Sequence, residues 1–169
     1  MRITGGKWAS RRVSGPPRGQ LLRPTPDALR EQTFAIVGER VKGALFLDLF
    51  AGTGINALEA LSRGASRAIL VEHHPQALAL IRTNFAHLGV DPGEYTLVPS
   101  RVSEALPWLA QQGVEVSLAW ADPPFAHFSQ HLKDVALLAT LGVLRPEGLL
   151  VLETPPKAQC QLPGFVPLR

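Results

Sequence analysis

Asp122-Pro123-Pro124-Phe125 sets a carboxylate, two rigid prolines and an aromatic ring in four consecutive positions. An exocyclic amine on a nucleobase is a poor nucleophile, because its lone pair is delocalised into the ring. Acceptors for its two N–H groups would turn that lone pair toward an electrophile. Asp122 can supply one, and the Pro123 carbonyl another, held by the fixed φ of both prolines. Phe125 offers a flat face to a base taken out of its stack, worth about 1–3 kcal/mol. A second constellation is Asp48-Leu-Phe50-Ala51-Gly52-Thr53-Gly54-Ile-Asn-Ala57. Its glycines allow a sharp turn and close approach to a ligand, and Ala57 is small enough for a helix to pack on the preceding strand. Eighteen residues beyond Gly54, Glu72 can accept hydrogen bonds from both hydroxyls of a ribose. Both features suit NAD as well as S-adenosylmethionine, and Asp48 separates the two. Its carboxylate would repel a pyrophosphate lying over the turn, whereas it would attract the sulfonium and ammonium of the methionine derivative. The plainer readings are a capping aspartate at 48 and an ordinary strand-ending turn at 122–125.

The elements needed to hold these groups are legible as alternating patterns. The first 25 residues, rich in Gly, Pro and Arg, lack a period and read as an extended arm. Thr25 as N-cap and Pro26 at the first helical position open a helix running to about Lys42, with Leu29, Phe34, Ile36, Val37 and Val41 on its apolar side. Strands are predicted over 44–50, 68–72, 95–98, 116–122 and 148–153. Helices are predicted over 55–63, 75–88, about 103–112 and 128–141. Apolar strands about 25 residues apart with helices between them predict an α/β, doubly wound, mostly parallel sheet covered on both faces. In such sheets ligands sit beyond the carboxyl ends of the strands, where 48–54, 72 and 122–125 all fall.

The bulk properties agree with one domain: 169 residues, 46% hydrophobic and only 18% charged, with a mean hydropathy of +0.09. That balance excludes a disordered chain, and no apolar run reaches the roughly 18 residues of a membrane span. No apolar stretch follows the basic residues at the start, so no signal peptide is expected, and a cytoplasmic location is. A single cysteine, Cys160, makes neither an internal disulfide nor a Cys-based zinc site. The net charge of +3 conceals an asymmetry. Residues 1–42 carry nine Lys and Arg against three acids, and the remainder eight against eleven. A basic arm on a mildly acidic body fits a polyanionic partner or a solvated tail.

Taken together, these residues resemble the bacterial 16S ribosomal RNA guanine-N2 methyltransferase family of S-adenosylmethionine-dependent enzymes. The resemblance covers residues 1 to about 155. It rests on Arg2-Ile-Thr-Gly-Gly-Lys-Trp8, Leu22-Arg-Pro-Thr-Pro-Asp27 through Arg30-Glu-Gln-Thr-Phe34, the 48–54 loop, Leu58-Glu-Ala-Leu-Ser-Arg-Gly-Ala65, Val71-Glu72 and Asp122-Pro-Pro-Phe125. It implies a Rossmann-like methyltransferase domain over 26–169 and an RNA-binding arm over 1–25. The loop residues Asp48, Phe50, Ala51, Gly52, Thr53 and Gly54 would meet the cofactor, chiefly its methionine moiety, and Glu72 its ribose. Adenine would be met by Arg101, a backbone group near Val102, or Glu104. Asp122, Pro123, Pro124 and Phe125 would hold the guanine, and Lys7, Arg11, Arg12, Arg23 and Thr25 the RNA. The expected partner is 16S rRNA or an assembling small subunit, with no metal and no membrane, and the expected state is a monomer. The family fold ends in an antiparallel hairpin. Here the chain stops at Arg169, so that hairpin is absent, leaving an unpaired edge, or the sequence is truncated.

Rival readings are an amino methyltransferase for DNA adenine or a protein amide, an NAD-dependent oxidoreductase, and an inert RNA-binding module. His127 and His131, spaced i, i+4 with no third ligand, read as an exposed polar pair. Trp108 and Trp120 read as core; Trp8 stacks on RNA or pins the arm. Asn84 has a polar partner near the site or a surface position.

Overall fold

The computed structural model describes residues 1–16, 26–156, 158 and 160–168. Among these, the five apolar runs form strands β1 (Leu45–Leu49), β2 (Arg67–Glu72), β3 (Tyr95–Pro99), β4 (Val116–Ala121) and β5 (Leu144–Leu152). All pair in parallel, in the order β3-β2-β1-β4-β5, so the strand order reverses between β1 and β4. Helices α2 (Ile55–Ser62), α3 (Pro75–Leu88), α4 (Val102–Gln111) and α5 (Phe128–Thr140) make the crossovers and, with α1 (Asp27–Val37), cover the faces. Phe46, Leu70 and Trp120 point to one core with Phe34, Leu58, Ile81 and Phe85. Leu47, Val71 and Ala121 point to another with Leu106, Leu109, Val135 and Leu138. The alternation follows from the two-residue period of a strand. Among the described residues, no helix is long and apolar enough to cross a membrane.

Four local expectations are corrected. β5 begins at Leu144, four residues early, because Pro146 cannot donate to a ladder and the strand bulges around it; Val116 pairs with Leu144, but Leu118 pairs with Leu149. In α1, Leu29 and Ile36 face solvent. The buried row is Arg30, Phe34 and Val37, continued by Val41 in a short 3₁₀ turn over Gly38–Val41. A charged residue stands in an apolar row there because it is paired. Arg30 Nε donates to Glu59 Oε2 (3.2 Å) and Nη2 to Asp27 Oδ1 (2.9 Å) and to the Arg2 carbonyl. Pro26 stands at the N-cap position rather than at the first helical one; Thr25, expected as the cap, lies outside the described residues. Of the two tryptophans assigned to the core, Trp120 is enclosed and stacked on Phe34, whereas Trp108 is 46% exposed.

Residues 1–16 are folded on to the body. Arg2 and Arg12 form an antiparallel bridge, and Ile3 and Val13 are buried, each worth about 1.5–3 kcal/mol. Glu59 of α2, fully buried, accepts from the Thr4 amide (2.8 Å), the Thr4 hydroxyl (2.7 Å) and Arg63 Nε (2.8 Å). Ser62 Oγ accepts from the Trp8 amide (2.9 Å) and donates to the Gly5 carbonyl. Gly6 is required, because a Cβ there would lie 1.9 Å from the Ser62 carbonyl oxygen. The half-buried Trp8 packs on the α1–α3 core, so it pins the segment.

Candidate active site

The chain leaves β1 through a turn whose residues Phe50, Gly52 and Gly54 have φ of 66°, 55° and 75°. For Phe50 that left-handed geometry costs about 1–2 kcal/mol. Gly54 admits no other residue: a Cβ would lie 2.9 Å from the Phe85 ring and 3.3 Å from Ile81. This close approach lets α2 start directly beyond the loop, with Ala57 fully buried beneath it.

Glu72 closes β2 and fastens the loop. Its Oε2 accepts from the Gly52 amide (2.9 Å), and its Oε1 from the amides of His73 and His74 (2.8 Å each). Three backbone donors fix this carboxylate at 8% exposure, beside a cavity of about 650 Å³. Phe50, Gly52, Glu72, Arg101, Val102, Asp122 and Pro124 all line that cavity. The loop after β1, the acid at the end of β2, the start of α4 and the turn after β4 therefore open on one space. Asp48, Ala51, Thr53, Gly54, Pro123 and Phe125 are outside the lining: the first five are buried, and Phe125 is 54% exposed. Glu104 accepts instead from Ser100 Oγ (3.0 Å) and borders a shallow groove with Trp108. Lys7, Arg11 and Arg12 are exposed. Lys7 pairs with Glu94 (3.2 Å) and lies over the Trp8 ring. Arg23 lies outside the described residues.

Sequence reasoning missed several lining groups: His73, His74, Gln76, Ser100, Ser103, Gln130, His131 and Asp134. Each follows a strand end or occupies a helix's first turns, a positional signal that marks them as a set. His131 is not half of an exposed pair. It packs edge-on against Phe50 at 5.0 Å between centroids, with Asp134 3.9 Å away, while His127 caps α5 in a left-handed conformation. Asn84 is buried and has its polar partners beside the loop.

Asp48 is completely enclosed, and among the described residues no side chain donates to its oxygens. Burial pushes its carboxyl well above the usual carboxylate range; repulsion from Asp122, and then from Glu72 and Glu153, adds to the push, and only the Ala57 amide opposes it. A pKa raised on folding means that the folded state holds the proton longer, so stability falls as pH rises above about 4. Asp48→Asn should therefore raise the thermal midpoint of the ligand-free protein, by more at pH 8 than at pH 5. An equal gain at both pH values would contradict this. Four carboxylates clustered at this end of the sheet, one of them fully enclosed, concentrate negative charge that a cationic ligand would balance. The residues fit S-adenosylmethionine, since Asp48 and its neighbours would balance the ammonium and sulfonium, and the fixed Glu72 would meet the ribose hydroxyls.

The family model described as Conserved hypothetical protein 95 matches residues 1–164. Ribosomal RNA small subunit methyltransferase D of Escherichia coli K12 is 35% identical over 154 residues, 91% of this chain and 74% of that protein. The chain belongs to this methyltransferase family. Two solved structures agree with the assignment. The hypothetical protein TTHA0928 of Thermus thermophilus superposes with a TM-score of 0.79 at 29% identity, covering 97% of this chain and 94% of that one. A conserved hypothetical protein of Streptococcus pyogenes gives 0.69 at 31%, covering 78% and 79%. The five-stranded parallel sheet is the Rossmann-like fold this chain shares with a putative methyltransferase of Escherichia coli, 32% identical with a TM-score of 0.76 over 91% of this chain and 80% of that one.

Proposed function

We propose that this methyltransferase transfers the methyl group of S-adenosylmethionine to the exocyclic N2 of a guanine in 16S rRNA, as free RNA or in an assembling small subunit. The observation that carries the reading is the shared cavity: Gly52 and Glu72 on one side, Asp122 and Pro124 on the other. Bound S-adenosylmethionine supplies an electrophilic methyl group on a positively charged sulfur. Asp122 accepts one N–H of the base amine and the Pro123 carbonyl the other, which turns the nitrogen lone pair toward the cavity. Phe125, more than half exposed, stacks on the extruded ring. The amine proton becomes acidic as its nitrogen forms the new bond, so Asp122 or solvent takes it and no strong base is needed. Positioning provides much of the rate. Asp48, enclosed at the end of β1, adds negative charge toward the ammonium from behind the loop, with the backbone of 50–54 around the methionine chain, and Arg101 and the backbone near Val102 lie at adenine.

Lys7, Arg11 and Arg12, with Arg23 and Thr25, engage phosphates, so affinity falls with salt in proportion to the contacts made. A ribosomal substrate sets the enzyme in the bacterial cytoplasm. The test is incubation of the purified protein with labelled S-adenosylmethionine and small-subunit particles or 16S rRNA, followed by mass spectrometry of the nucleosides. Label in N2-methylguanine is expected; label in another nucleoside, in DNA adenine or in protein would overturn the substrate. Glu72→Ala should weaken S-adenosylhomocysteine binding by about 10–100-fold, since hydrogen bonds to a charged group are worth about 1.5–3 kcal/mol. Calorimetry reads this directly, and unchanged binding would remove Glu72 from the cofactor site.

A further inference from the structure

Ile81, Asn84 and Phe85 stand at i, i+3 and i+4 on α3, all buried, and the two apolar members close on Gly54. Asn84 is the polar member, 1% exposed. Its Nδ2 donates to the Thr53 carbonyl (3.0 Å) and to the Ser14 carbonyl (3.1 Å), and its Oδ1 accepts from the Ser14 amide (2.9 Å). One amide side chain thus holds both backbone groups of Ser14, as a neighbouring strand would, and the backbone of the glycine loop as well. The Thr53 hydroxyl also meets Met1 Sδ, at 3.9 Å. Thr53 sits between Gly52, fastened by Glu72, and Gly54, packed on α3. Two segments far apart in sequence, the one bearing Arg11 and Arg12 and the one lining the cavity, are joined through this residue.

We infer that Asn84 is a positioning residue that couples the two substrates, so that RNA held by the N-terminal segment strengthens cofactor binding at the loop, and the reverse. The inference rests on the RNA reading proposed above. A partner that binds one segment stabilises, through the three hydrogen bonds of Asn84, the arrangement of the other, so the second partner binds more tightly. Coupling of this kind is reciprocal and commonly amounts to about fivefold or more.

The experiment is calorimetric titration of S-adenosylhomocysteine into the full chain, without RNA and with saturating small-subunit RNA. RNA should tighten the parent's binding by about fivefold or more. Asn84→Asp keeps the size and the acceptor for the Ser14 amide but turns an oxygen toward two carbonyls, and the ratio should fall to about one. Asn84→Ala, which loses all three bonds without adding charge, should do the same and serves if the aspartate prevents folding. Leu109→Ala, in the core on the other face of the sheet, lowers stability and should keep the parent's ratio. A merely structural role for Asn84 would lower the melting temperature and leave the ratio alone. A parent ratio of one on RNA that it methylates, or an Asn84 variant that retains the parent ratio, overturns the coupling and leaves methyl transfer standing. Failure of the parent to bind RNA overturns both.

Discussion

Asp122→Ala is expected to lower methyl transfer at least about a hundredfold, the usual cost of removing one oriented hydrogen-bonding group from a reacting centre. Cofactor binding should survive. Asp122 lines the cavity and its charge raises the pKa of Asp48, so removing it relieves a repulsion beneath the loop. The signature is a collapse in kcat with the S-adenosylhomocysteine affinity held or slightly improved. Asp122→Asn keeps one acceptor oxygen and should retain more activity than the alanine variant. Equal kcat for parent and Asp122→Ala would remove the residue from the chemistry, and with it the acceptor pair formed with Pro123.

Glu59→Ala should have the largest effect on stability. Arg30 and Glu59 have no exposed side-chain surface, and Arg63 and Thr4 converge on the same carboxylate. Removing one partner of a buried pair strands the other, at a cost of about 3–5 kcal/mol. For a chain of this size that is a fall of roughly 6–20 °C in the thermal midpoint. Truncating the carboxylate also frees Thr4, so residues 1–16 should become sensitive to protease before the sheet does. Combining Glu59→Leu with Arg30→Met removes both charges and should recover part of the loss. A midpoint within about 2 °C of the parent for Glu59→Ala, below the shift expected from even 1 kcal/mol, would show that the network contributes little.

The sheet was legible because its strands are short apolar runs and its crossovers carry strong punctuation: Pro75 starts α3 where predicted and Gly89 ends it. The turns at 48–54 and 122–125 were legible because glycine, proline and acid at those spacings have few other uses at strand ends. Arg30 and Glu59 were opaque for the opposite reason. Charge reads as surface, and burial is made tolerable by partners such as Glu59, 29 residues away, that the local pattern does not show. The segment 1–16 has no period because it forms no long regular element. It is held by single side chains, Glu59, Ser62 and Asn84, whose reach is not written in the local pattern. His131 was read by its spacing to His127, whereas its place against Phe50 depends on the left-handed residue that starts α5.

The tethering of the first residues also orders events during synthesis. Ser14 has to wait for Asn84, 70 positions later, an interval of roughly 4–14 s at ordinary translation speeds. Until then the Ser14 end of the segment, with buried Val13 beside it, lacks that anchor. Residues 1–16 are therefore fully anchored only after α3 has emerged, and a pause in elongation between residues 14 and 84 would prolong their exposure to proteases and chaperones.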